Sequence, residues 1–205
     1  MHHNKIKKKN REERILLSLK RHDFLTRSQL QAIHNLKSDR NAQRVLKEIE
    51  GVSVTRHGEN VYFLNAKGRE LTNCEKVRKH TSNVEHYIMR NQLFIEYGQP
   101  ASWETEIRIR NGSNKANEII VVADAIFERN KRQYIVEVDN QQKMIVNKKK
   151  INKYRQLVER KAFGIKSPIF LWVTTTEYRR KQLSKLCEGL EVYIYTLDDF
   201  NKGGN

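Results

Sequence analysis

Residues 118–139 read Glu118-Ile-Ile-Val-Val-Ala-Asp-Ala-Ile-Phe127, Glu128-Arg-Asn-Lys-Arg132, Gln133-Tyr-Ile-Val-Glu-Val-Asp139. Two runs rich in β-branched and apolar residues flank a short polar stretch, the pattern of a β-hairpin. With Asn130 and Lys131 as the central turn residues, cross-strand partners have numbers that sum to 261. That register sets Asp124 opposite Glu137, with Cβ atoms roughly 5 Å apart. Glu137 and Asp139 are two apart in the second run, so their side chains leave one face. Like charges this close repel and call for a divalent cation or a basic partner. Asp124, Glu137 and Asp139 are therefore candidate ligands for Mg2+ or Mn2+. An ion-pair network, with Lys148 or Lys153 against Asp139, accounts for the same residues without a metal.

The setting makes the acids conspicuous. The 205 residues include 40 Lys plus Arg against 24 Asp plus Glu, a formal net charge of +16. Such a balance points to a polyanionic partner, nucleic acid before an anionic membrane surface. With 38% hydrophobic residues the chain can bury a core. No apolar run approaches the ~18 residues needed to span a bilayer. The basic N-terminus is not followed by an apolar segment, so no secretory signal is expected. Cys74 and Cys187 lack metal-ligand spacing and read as reduced thiols of a cytoplasmic protein.

Charge is densest in residues 1–80, with 19 basic and 9 acidic side chains. Lys5, Lys7, Lys8 and Lys9 read as a solvated arm, and a first helix is expected from Arg11 with Ile15, Leu16 and Leu19 as its apolar stripe. Thr26 can cap a second helix and Ser38 a third, from Asp39 to about Glu50, with Gly51 ending it. Ala42, Val45, Leu46 and Ile49 follow helical spacing on one face of that third helix. Arg40, Gln43, Arg44 and Lys47 occupy the other, bordered by Asn41. Arg, Asn and Gln are the side chains that read base edges, although a charged helix face is also an ordinary solvated one. A hairpin around Gly58-Glu59-Asn60 follows, with Arg56 and His57 near its tip. Three helices and then a hairpin is the order of a winged helix-turn-helix, so residues 1–80 are expected to bind double-stranded DNA.

Residues 81–205 are expected to form an α/β domain in the order α-β-β-β-α-β-α-β, a mixed sheet flanked by helices. A helix is expected from about Glu75 to Tyr97 and a strand over Trp103–Arg110. After the acid-bearing hairpin come a Lys-rich helix near Val146–Lys161, a strand at Pro168–Thr174, a helix at Glu177–Glu188 and a strand at Leu190–Thr196. This order resembles the restriction-endonuclease-like, or PD-(D/E)xK, fold. The resemblance places Ala123-Asp124 at the PD element, Glu137-Val138-Asp139 at (D/E)xK, and Glu106 or Glu104 as an upstream acid. Asp139 stands where that motif has lysine. Lys150 can supply one from the next helix, and Tyr154 shares its face at i+4.

Lys67-Gly-Arg-Glu-Leu71, Ala123-Asp-Ala-Ile-Phe127, Val136-Glu-Val-Asp139, Lys150-Ile-Asn-Lys-Tyr154 and Phe170-Leu-Trp-Val-Thr174 are similar to motifs of the replication-relaxation family of plasmids and integrative elements. The resemblance implies a DNA-binding role in plasmid replication or relaxation. Its implied partners are double-stranded DNA, a second copy of the chain, or other replication and relaxation proteins, with no membrane. Two further readings stand beside it. In a metal-dependent endonuclease, Glu106, Asp124, Glu137, Asp139 and Lys150 would be catalytic. In a winged-helix repressor only the first domain would matter.

Overall fold

A computed structural model describes residues 2–78 and 83–201, with side chains for 5–78 and 83–200. The described residues form eight helices and two sheets, a mixed α and β architecture. They divide into two compact units, Met1–Asn91 and Gln92–Asn205. The boundary expected after residue 80 lies outside the described residues. No described helix is long and apolar enough to cross a membrane.

The first unit contains α1 (His2–His22), β1 (Leu25–Thr26), α2 (Arg27–His34), α3 (Asp39–Lys47), β2 (Val52–His57), β3 (Glu59–Leu64) and α4 (Ala66–Thr72). The Thr26 hydroxyl accepts from Gln29 N at 3.1 Å while the Gln29 side chain accepts from Thr26 N at 3.2 Å, a reciprocal capping box that starts α2. The Ser38 hydroxyl accepts from Asn41 N to start α3. The expected apolar face of α3 is buried: Ala42, Val45, Leu46 and Ile49 pack with Ile15, Leu19 and Leu30. The three strands pair in the order β1-β3-β2, and His57 pairs with Glu59 across Gly58. The hairpin therefore reverses more tightly than a Gly58-Glu59-Asn60 turn, which the positive φ of Gly58 (+70°) permits.

Gly68 of the Lys67-Gly-Arg-Glu-Leu71 motif lies against the backbone of Gly51. A Cβ on Gly68 would fall 2.0 Å from the Gly51 carbonyl oxygen, and one on Gly51 2.8 Å from the Gly68 Cα. The Gly51 carbonyl also accepts from Asn65 N at 3.0 Å. The turn leaving α3 and the first turn of α4 thus meet backbone to backbone.

Two elements differ from expectation. The Lys5–Lys9 arm is helical, because α1 starts at His2. Lys8 there reaches Glu48 at 2.8 Å and Glu12 at 3.8 Å, and lysine is a good helix former. The helix expected from Glu75 begins only at Val84, as α5 (Val84–Glu96). Asn73 ends α4 in the left-handed conformation, and Glu75–Arg78 are not helical. Arg78 is drawn instead to Asp23, at 2.7 Å. The remainder of that expected segment, residues 79–82, lies outside the described residues.

A buried polar network ties the end of α1 to α5. Arg90, fully buried, donates to the His22 carbonyl at 3.0 Å and to Asp23 at 3.2 Å. Asn91 Nδ2 donates to the carbonyls of His22 and Phe24, at 2.9 and 2.8 Å. Its Oδ1 is left to accept from His22 Nδ1 at 3.2 Å, which fixes the imidazole in the tautomer protonated there.

The second unit contains β4 (Glu104–Asn111), β5 (Ile119–Arg129), β6 (Arg132–Asp139), α6 (Met144–Glu159), β7 (Ile169–Thr174), α7 (Glu177–Leu186), β8 (Val192–Thr196) and α8 (Leu197–Asn201). The strands lie in sequence order, antiparallel from β4 to β6 and parallel from β6 to β8. Parallel neighbours need a crossover, and α6 and α7 supply the two required. Asn130 and Lys131 both have positive φ (+54° and +58°), the turn expected of a two-residue hairpin. Arg129 pairs with Arg132 and Ala125 with Val136, so the expected register holds. Ile135, Phe170 and Trp172 form a core with Ile151, Tyr154 and Leu157 of α6.

Burial, then the Arg90 charge, lowers His22 from 6.5 to about 3. A depressed folded-state value gives stability that is complete above 6.5 and is lost as pH falls toward about 3. Denaturant midpoints of the wild type should therefore fall more steeply than those of His22→Gln across that window. Parallel pH profiles would contradict a buried neutral His22.

Candidate nucleic-acid interface and carboxylate site

The face of α3 opposite the core is solvent-exposed at Arg40, Gln43, Arg44 and Lys47. Arg44 is 62% exposed, 3.7 Å from Glu48, and Glu48 is also engaged by Lys8. Asn41 is less available than its sequence position suggests. Its Nδ2 donates to the Leu36 carbonyl at 2.7 Å and its Oδ1 accepts from Arg44 at 3.0 Å. Asn41 therefore closes the loop before α3 and orients Arg44. On the hairpin, Arg56 is exposed, whereas His57 is paired with Glu85. Between α3 and the hairpin lies a cleft of about 430 Å3 lined by Gln43, Leu46, Lys47, Val54, Asn60 and Tyr62.

In the second unit the carboxylates sort into two groups. Extending the hairpin register by one pair sets Asp124 opposite Glu137, but the ladder ends at Ala125 and Val136. Asp124 Oδ2 accepts instead from the backbone N–H of Val138 at 2.7 Å. On the other side, β4 pairs Thr105 with Ala125 and Ile107 with Ala123, passing over Glu106 and Asp124 between them. Glu106 sits there with φ +58°, a left-handed conformation in the middle of a strand. Glu106, Asp124 and Glu137 thus occupy one row across β4, β5 and β6, from the exposed edge strand to the buried interior. Glu104 pairs with Ile126, a full side-chain repeat away. Glu137 ends the row fully buried, receiving Lys150 on Oε2 and the Tyr154 hydroxyl on Oε1. The Lys-x-x-x-Tyr spacing on α6 thus meets a single carboxylate.

Asp139 belongs to the second group. Arg179 grips it with both Nε (2.8 Å) and Nη2 (2.6 Å), while Thr174 and Asn147 each donate at 2.8 Å. Neither lysine expected beside it is its partner: Lys148 is exposed, and Lys153 donates to the Ile120 carbonyl at 2.9 Å. The cause is positional. Asp139 is the last residue of β6, level with Thr174 of the parallel strand β7, and Arg179 lies one turn into the helix that follows β7.

Burial, reinforced by the Asp124 charge, pushes Glu137 well above the usual carboxylate range, against the pull of Lys150 and Tyr154. Burial opposes charge on Lys150, yet Glu137 and Asp124 together hold the ammonium above its ordinary value. Burial and Glu137 push Tyr154 well up, so it is a fixed hydroxyl donor. Two carboxylates share one ammonium here, a site that favours a bound proton or an added cation. The side chains do not form a ready metal cage. Both Asp139 oxygens are taken, Lys150 covers Glu137, and among the described residues no group of three or more His, Cys, Asp or Glu is arranged to hold a metal ion.

A family model described as Replication-relaxation matches residues 16–167. The chain belongs to the replication-relaxation family. The match runs from the first-unit core through the carboxylate row and α6 to the threshold of β7. Among solved structures, the crystal structure of protein VC1899 from Vibrio cholerae is similar over 94% of this chain, at 11% identity and a TM-score of 0.43. The alignment covers 54% of that protein, so this replication-relaxation chain spans about half its length. No curated protein matches.

Sequence spacing located Lys150 and Tyr154 but missed Arg179, Thr174 and Asn147, which come from three separate elements. Only the crossover topology brings them to Asp139, and no local pattern marks them. Arg179→Ala strands a buried carboxylate and should cost about 3 kcal/mol in denaturant unfolding. Lys150→Met should cost less near neutral pH, because Glu137 can take up a proton. That cost should grow as pH rises, since a raised carboxylate value gives stability that is lost above it. Equal costs with no pH dependence would overturn the distinction.

Proposed function

We propose that this replication-relaxation protein binds double-stranded DNA through its first unit and acts in plasmid or mobile-element replication or relaxation. In this reading α2, α3 and the β2–β3 hairpin are a winged helix-turn-helix, with α3 as the recognition helix. The observation that carries it is the two-sided character of α3. One face is sealed in the core, and the other offers Arg40, Gln43, Arg44 and Lys47 to solvent. Arginine and glutamine there can make paired hydrogen bonds to guanine and adenine edges, and the lysine can contact phosphate. Asn41 contributes by steering Arg44 rather than by touching a base. Arg56 supplies a hairpin contact to the backbone, and His57 is occupied by Glu85.

Anisotropy titration with family-element duplexes tests this reading. Arg44→Ala should weaken specific binding by about 1–3 kcal/mol, roughly 5- to 150-fold, and Lys47→Ala should lower affinity evenly across sequences. Duplex affinity untouched by both substitutions would refute the recognition-helix assignment.

A second reading, a metal-dependent endonuclease with a PD-(D/E)xK-like core, is favoured by one observation. Glu106, in a left-handed strand conformation, stands in the same row as Asp124 and Glu137. Backbone strain of this kind is concentrated at functional sites. Mg2+ or Mn2+ would have to compete with Lys150 for Glu137, and Asp139 is outside the row. A supercoiled plasmid incubated with the protein and Mn2+ should be nicked under this reading, and the nicking should vanish in Asp124→Ala and Glu137→Ala. An intact plasmid bound tightly by the protein would leave the DNA-binding reading alone.

A further inference from the structure

We propose that the open part of the second unit's sheet, between edge strand β4 and helix α6, is a second contact for the DNA phosphodiester backbone, carried by Arg108, Lys149 and Lys153. The proposal rests on the reading that the chain binds DNA, but it uses residues far in sequence from α3.

The outer part of this sheet face is uncovered. On β4 the side chains of Glu104, Glu106, Arg108 and Arg110 are all exposed, and on β5 the apolar Val122 is 46% exposed. Arg108 pairs with Val122 in the antiparallel ladder, so the two stand side by side on one face. From the other side, Lys153 of α6 reaches over β5 to the carbonyl of Ile120, which is the partner of Arg110. Arg108 and Lys153 therefore flank Val122. Lys149 is exposed one turn before Lys153 and shares its side of the helix.

The cations are also uncompensated. Residues 143–161 contain eight basic side chains and one acid, Glu159. Lys150 is neutralised by Glu137, and on β4 Arg110 is paired with Glu118. Lys153 is held by a carbonyl, which positions the ammonium without cancelling its charge. Among the described residues, neither Arg108 nor Lys149 has an acidic partner. Three uncancelled charges around a shallow, partly apolar strip suit a phosphate backbone lying across the strip.

Salt dependence of binding by the full chain tests this, with a labelled duplex and its single strand as probes. Each lost phosphate contact should reduce the slope of log affinity against log salt by about 0.9 for duplex and about 0.7 for a single strand. Arg108→Ala/Lys149→Ala/Lys153→Ala should therefore flatten the slope by about 2 to 3 on the probe that uses the strip. Arg108→Ala/Lys149→Ala, which spares the Ile120 contact, should flatten it by about 2 and replaces the triple variant if that one unfolds. The charge-matched Lys181→Ala/Lys185→Ala, on the exposed side of α7, should leave the slope unchanged. Slopes unaltered on both probes, or an equal change in the α7 variant, would overturn the proposal. Arg44→Ala separates the two readings. Loss through Arg44 alone sinks the strip, and loss through the strip alone sinks the recognition helix while leaving the strip in place.

Discussion

The register of the β5–β6 hairpin is the constraint on which the second unit depends. Side chains alternate along a strand, so a slip of one residue would turn Asp124 away from Glu137 and carry Glu137 off the α6 face. Asn130 and Lys131 fix that register by both adopting positive φ, which asparagine tolerates and lysine accepts at some cost. The same strand then sets the next layer. Because β6 runs parallel to β7 with Glu137 level with Trp172 and Asp139 level with Thr174, the crossovers through α6 and α7 deliver Lys150, Tyr154 and Arg179 to the acids.

Glu137 and Asp139 illustrate how two neighbouring buried carboxylates reach different electrostatic states. Asp139 accepts a planar, two-pronged guanidinium and two further neutral donors, so its charge is fully solvated by protein. Glu137 has one compact ammonium and one hydroxyl, and it must share that ammonium with Asp124. The first is built to remain ionised and to hold α7 on the sheet. The second is under-neutralised, which is the property expected of a group that exchanges a proton or a cation during function.

Much of this was legible in the sequence because it is local. The Asn130-Lys131 turn, the caps at Thr26 and Ser38, the buried stripe of α3 and the order of the second-unit elements each follow from residues within one turn or strand. The replication-relaxation motifs likewise lie in contiguous segments. What was not legible depends on distant partners. Lysines 5 to 9 looked like a free arm because Glu48, which engages Lys8, lies far along the chain. The late start of α5 depends on Arg78 being drawn to Asp23. Asp139 looked like a metal ligand because Arg179, forty residues on, carries no local mark. Asn41 read as a base-contacting residue, and only the loop carbonyl at Leu36 shows how it is used.

The contact between Gly51 and Gly68 acts as a caliper. With no side chain on either residue, the distance from the end of α3 to the base of the β2–β3 hairpin and α4 is set by backbone atoms touching backbone atoms, and these have no rotamers through which to yield. Any larger residue at either position would push the jaws apart, shifting α3 relative to the hairpin by a fraction of a DNA base step without touching a DNA-facing side chain. The spacing between the two prospective gripping elements is therefore written into the pair of positions that have no side chain at all.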